Sequence, residues 1–188
     1  MHIHILQVRK DGKFRENKDT IGGFGTVNDY GTGLFPKLLS MGKKKHFKFL
    51  EILPAYLSAI LKNQGHHVTY GEHEVVTYPD VVMIHTSIIN YKLEIEWAKK
   101  IKSYNHGMKV VFFGAFCSIM PELFEDVGDA IIVGEPEVAL INYGIDFVLE
   151  NGGKDYKEYA SGPTMVEDLD SLPFPDWDHY DRKKYLCN

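Results

Sequence analysis

Four places in the chain set small, polar or acidic residues near apolar runs, a pattern that lets a ligand approach main-chain amides closely. They are the glycine-rich loop carrying Gly22, Gly23, Gly25 and Thr26; the segment His85-Thr86-Ser87-Ile88; the segment Gly114-Ala115-Phe116; and Gly134-Glu135-Pro136-Glu137. At the carboxyl ends of parallel strands such residues line the crevice in which open α/β sheets hold their ligands. The chemistry they suggest is cofactor binding, and no catalytic residue is assigned. A glycine at one strand end serves equally well to turn the chain; the alignment of several ends is what favours a ligand edge.

The glycine-rich loop is not a phosphate-binding fingerprint. Gly23-Phe24-Gly25 begins a G-x-G-x-x-G, but Asn28 stands where the third glycine belongs, and the loop does not follow its strand directly. Gly42 precedes Lys43 and Lys44 with no hydroxyl residue after them, so there is no P-loop either. The run Lys43-Lys44-Lys45-His46 reads as a solvated loop. Among nine histidines, His2 and His4 alternate on one strand face without an identifiable third ligand, so no metal residue is assigned. His85 lies inside an apolar strand beside the ligand edge, where it is either a satisfied core histidine or a ligand contact.

The elements that must position these residues follow from periodicity. HIHILQV, residues 2–8, alternates like a strand. Residues 9–48 lack sustained periodicity and predict a long loop with a short helix near Leu34 to Met41. Phe49 to Gln64 carries Leu53, Leu57, Ile60 and Leu61 on one stripe, with Pro54 in the first turn and Gly65 at the C-terminal cap. HHVTYGEHE and DVVMIHTSI follow as strands. Asn90 then caps a helix with Leu93, Trp97, Ile101 and Tyr104 at helical spacing. Strand KVVFFG, a short helix from Pro121 to Asp126, strand DAIIVG and a helix from Pro136 to Glu150 complete the series. Strands that are near-continuous apolar runs are buried on both faces, which predicts an α/β fold with a mostly parallel five-stranded sheet between helices. Residues 1–160 form this domain, and residues 161–188, with two prolines and many acids, read as a linker or extension over its surface.

The totals limit the function. One domain suits 188 residues, and 44% hydrophobic with 25% charged residues and a net charge of -5 give no footprint for nucleic acid. The longest apolar runs are strand-sized, so no membrane helix or signal peptide is expected. Cys117 and Cys187 fit no disulfide or zinc framework, and a reducing, cytoplasmic setting is the expectation.

Read together, PDVVMIHTSIINYKLEIEWAKKIK, KVVFFGAFCSIMPELFEDVGDAIIVGEPEVAL and DLDSLPFPDWD resemble the N-terminal cobalamin-binding domain of B12-dependent radical SAM enzymes. ILPAYLSAILKNQGHHV is similar to that family's first helix, and the likeness spans roughly residues 49–180. The resemblance implies a flavodoxin-like, Rossmann-like three-layer sandwich with cobalamin on the carboxyl edge of the sheet. It places the dimethylbenzimidazole tail beside Thr86-Ser87-Ile88 and Gly114-Ala115-Phe116, with Gly134 to Glu137 walling the pocket. Residues 9–48 hold no Asp-x-His-x-x-Gly, so the implied cobalamin is base-off without a protein histidine on cobalt. Phe113 stands where the family carries the first glycine of a pair, giving a bulkier pocket floor.

A radical SAM centre needs three cysteines in C-x-x-x-C-x-x-C to hold its [4Fe-4S] cluster, and this sequence has two cysteines in all. The cluster and S-adenosylmethionine are therefore expected only in a radical SAM domain in cis or in trans, which residues 161–188 would lead toward. The implied chemistry is methyl transfer or a related radical reaction. The alternatives are a stand-alone cobalamin-binding sensor or carrier and a flavodoxin-like domain binding flavin or a nucleotide.

Overall fold

The structure, a computed structural model, describes residues 1–9, 14–15, 18–19, 26–27, 30–46, 51–75, 78–151 and 165–178. A five-stranded sheet is built from β1 (His2–Gln7), β4 (His67–Glu72), β5 (Val81–His85), β6 (Lys109–Phe113) and β7 (Ala130–Ile131) in the order β4-β1-β5-β6-β7. Every pairing in it is parallel. Two short strands of the first loop, β2 (Phe14–Arg15) and β3 (Thr26–Val27), pair antiparallel outside this sheet. The helices are α1 (Leu34–His46), α2 (Ile52–Asn63), α3 (Tyr91–Tyr104), α4 (Ala115–Ile119) and α5 (Pro136–Glu150).

Strand alternation sorts the side chains into two layers. Ile3, Ile5, Val81, Met83, Val111 and Phe113 pack with Leu57, Ile60 and Leu61 of α2 and Leu140 and Ile145 of α5. Val82, Ile84, Val110 and Phe112 face the other way, onto Ala98 and Ile101 of α3 and Phe116 and Cys117 of α4. Helices thus cover both faces, and the strand order is that of the flavodoxin-like doubly wound fold. The chain leaves β1 toward β4 on one side and reaches β5 on the other, so the topological switch point lies between β1 and β5.

Three elements differ from their sequence expectation. The short helix occupies Ala115–Ile119, with only a 3-10 turn at Pro121–Leu123, because a residue before proline is pushed out of the helical region. The buried stripe of α3 is Glu94, Ala98 and Ile101, while Tyr104 is exposed, so the helix is rotated to bring a carboxylate inward. The first-loop helix runs on to His46, longer than expected. By contrast, Gly65 takes φ +86° after the α2 cap, where a side chain would be strained.

The segment 165–178 lies on the domain surface. The Val166 N–H donates to Glu135 Oε2 at the start of α5; at the other end the Asp176 N–H donates to Ala55 O (3.0 Å) and the Asp176 carboxylate accepts from the Ser58 hydroxyl (2.6 Å) and the Lys62 ammonium (2.6 Å) of α2. The segment that carries Leu-Pro-x-Pro is thereby fixed at Val166 to the start of α5 and at Asp176 along α2.

Candidate functional site

Period-2 alternation puts Gln7, His85 and Phe113, the last residues of three neighbouring strands, on the α2 side of the sheet. His85 and Phe113 are register partners, and their rings stack at 4.7 Å and 12°. Gln7 Nε2 lies 2.9 Å from His85 Nδ1, and both residues are completely buried. Glu51, at the N-terminal cap of α2, enters from above: its Oε2 is 3.5 Å from His85 Nδ1, and its Oε1 accepts from Arg9 (3.0 Å) and the Lys18 N–H (3.2 Å). Burial disfavours the Glu51 anion, but the hydrogen bond with His85 and the charges of Arg9 and Lys18 more than reverse this, holding its pKa at about 2.

The first loop supplies two more groups. Lys18 is buried; its ammonium donates to His85 O (2.6 Å) and to Glu94 Oε1 (2.7 Å). Glu94 in turn accepts from the Ser87 N–H (3.0 Å) and the Ser87 hydroxyl (3.0 Å). Burial pushes the Glu94 carboxyl upward against the pull of Lys18 and Ser87. Asp19 accepts from the Ile52 and Leu53 N–H groups at the start of α2. Its pKa is raised by burial and by Glu51, with His85 and those two amides opposing. One ligand-capable atom each from Asp19, Glu51 and His85 lies within 4.8 Å of the others.

Farther along the edge the arrangement opens. Thr86 turns to the α4 side, where its hydroxyl donates to Phe113 O (3.0 Å) and accepts from the Cys117 N–H (3.1 Å). Ser118 stitches two strand ends together, donating to Gly114 O (2.8 Å) and accepting from the Gly134 N–H (3.0 Å). Burial drives the Cys117 thiol up to about 12, so it is no nucleophile. Ile88 and Ile89 after β5, Ala115 at the start of α4, and Ile119 and Met120 at its end are all exposed. Pro136 begins α5 and is buried, Glu135 caps it, and Glu137 has its pKa raised to about 7, chiefly by burial, with Glu135 and Asp19 adding repulsion.

Of the residues expected at a ligand edge, His85 ends β5, and Thr86, Ser87, Ile88, Gly114, Ala115, Phe116, Gly134, Glu135, Pro136 and Glu137 follow the ends of β5, β6 and β7. Phe116 is core, packed on Tyr91 and Phe124. Gly22, Gly23 and Gly25 lie outside the described residues, and Thr26 pairs with Arg15 across the small β2-β3 ladder. Gln7, Lys18, Asp19, Glu51 and Glu94 were not expected. Strand parity could have found Gln7 opposite His85; nothing periodic marks Lys18 or Asp19.

These contacts bear on a cofactor tail. A Cβ on Gly114 would stand 2.7 Å from His85 Cδ2, so this glycine makes room for the histidine ring. Ser87 Oγ already donates to Glu94 and accepts from the Asn90 N–H (3.2 Å). A dimethylbenzimidazole seated between Ser87 and Gly114 therefore does not fit these residues. Neither a family model nor a curated protein nor a solved structure matches the chain.

Proposed function

We propose that the chain is a cofactor-binding α/β module of the kind its motifs resemble, one that holds cobalamin for a radical SAM domain in cis or in trans. The observation that carries this reading is the open half of the carboxyl edge. Exposed Ile88, Ile89, Ala115, Ile119 and Met120 flank the ends of β5 and β6, close to the switch point where doubly wound sheets bind ligands. Such a cofactor supplies a cobalt centre able to carry a methyl group. The chain's own part is to bind it, orient it and exclude water from one of its faces. The filled interior at His85 and Ser87 argues for a tail held elsewhere than in a slot between β5 and β6.

Incubation with hydroxocobalamin, desalting and an ultraviolet-visible spectrum test this. The expected result is retained corrin absorption of the base-off type. Absence of corrin bands after desalting overturns the reading, and retained flavin from the expression host would replace it with the flavin alternative.

A further inference from the structure

We propose that Asp19, Glu51 and His85 hold a first-row divalent metal ion at the switch point, with the Gln7 side-chain amide as a fourth donor. The inference concerns the buried half of the edge and stands whether or not a corrin lies on the open half. Three elements converge here: the first loop brings Asp19, the α2 cap Glu51, and the end of β5 His85, all within 4.8 Å of one another.

The spacings suit a cation. Two ligands at about 2.1 Å from a metal stand about 3.0 Å apart when at right angles and about 3.4 Å apart at the tetrahedral angle. Gln7 Nε2 lies 2.9 Å from His85 Nδ1, and Glu51 Oε2 lies 3.5 Å from that same nitrogen. Among the described residues the Gln7 carbonyl oxygen is buried with no hydrogen-bond partner, and so is His85 Nε2. Oxygen and nitrogen of an amide exchange places by a half-turn of the group. That turn sets the unpartnered oxygen beside His85 Nδ1, completing an oxygen-rich set with one imidazole.

A site of one imidazole with carboxylates and an amide carbonyl suits manganese, iron, cobalt or zinc better than calcium, which prefers oxygen alone. Arg9, paired with Glu51 Oε1 at 3.0 Å, supports the carboxylate from outside, as outer partners of metal ligands do. Asp19 keeps exposed surface as a residue while its carboxyl is desolvated against the start of α2, so it reaches from the site to solvent and gives the ion a way in.

The test uses the full chain stripped with chelator and titrated with Mn2+ and Co2+, followed by calorimetry and by Mn2+ electron spin-echo spectroscopy. One ion per chain is expected, with nitrogen modulation from one imidazole. Asp19→Asn keeps an acceptor for the Ile52 and Leu53 amides, so its fold is retained on circular dichroism, and affinity should fall at least about 10-fold to 100-fold. Failure of either ion to bind the wild-type chain overturns the proposal. So does binding that Asp19→Asn leaves unchanged, or bound Mn2+ without nitrogen modulation, since each places the ion on other surface groups.

Discussion

The ends of β5 and β6 are register partners on one sheet edge, yet they are built in opposite ways. At β5 the space beyond the strand is filled by charge drawn from three directions: Lys18 from the first loop, Glu51 from the cap of α2 and Glu94 from α3. At β6 the chain passes through Gly114 at φ +110° into an exposed Ala115, and Ile119 and Met120 at the end of α4 face outward. The two ends also depend on each other, because the His85 ring occupies the space a side chain at 114 would need. A small residue at a strand end can thus serve a neighbouring side chain as readily as a ligand.

The largest effect should come from emptying the filled half. Lys18→Met leaves the Glu94 carboxylate buried without its ammonium partner, and breaking a buried pair in this way costs about 3–5 kcal/mol. Urea unfolding of Lys18→Met should show that loss, and the double variant with Glu94→Gln should recover most of it. By comparison, Ile119→Ser on the open half should change stability by no more than about 0.5 kcal/mol. Similar losses at both positions would erase the contrast between the two ends.

That contrast marks where sequence reading stops. The sheet was legible because its strands are apolar on both faces, and α2 because Leu57, Ile60 and Leu61 recur at helical spacing and end at Gly65. The carboxyl edge followed from the same alternation. What fills the edge did not, because Lys18 meets Glu94 across 76 positions and the Lys18 amide meets Glu51 across 33. Periodicity reports which face a residue takes within its own element; it carries no record of a loop folding back. The α3 stripe shows the same limit: spacing favoured Trp97 and Tyr104, while hydrogen bonding to Ser87 and Lys18 turned Glu94 inward.

The interdependence of the two ends can be broken from the β6 side. Gly114 has φ +110° and ψ 177°, a region essentially reserved for glycine, and an added Cβ would meet the His85 ring. Gly114→Ala should cost about 2–3 kcal/mol from backbone strain and the displaced ring together. Gly65→Ala is the sharper control, because it shares a positive φ of +86° but has open space around the added atom, and about 1 kcal/mol is expected. Equal losses in thermal unfolding would mean that the His85 contact contributes nothing and that the two strand ends are independent.

A smaller effect than that of Gly114→Ala separates two carboxylates on the same edge. Glu51 is held at about 2 against an ordinary 4.5, so its contribution is complete above pH 4.5 and is lost as pH falls toward 2. Glu137 runs the other way. Its pKa of about 7 lies above its unfolded 4.5, so its contribution is complete below pH 4.5 and is lost as pH rises through 7. Partial exposure screens this carboxyl, so the loss is expected to be about 1–2 kcal/mol, less than the full difference in pKa would give. In metal-free protein, Glu137→Gln should therefore match wild type near pH 4.5 and exceed its stability by that amount at pH 8. A stability difference that stays constant from pH 4.5 to 8 would show that Glu137 is hydrated like an ordinary surface acid. The end of β7 would then belong wholly to the open half of the edge, and the charged half would stop at His85.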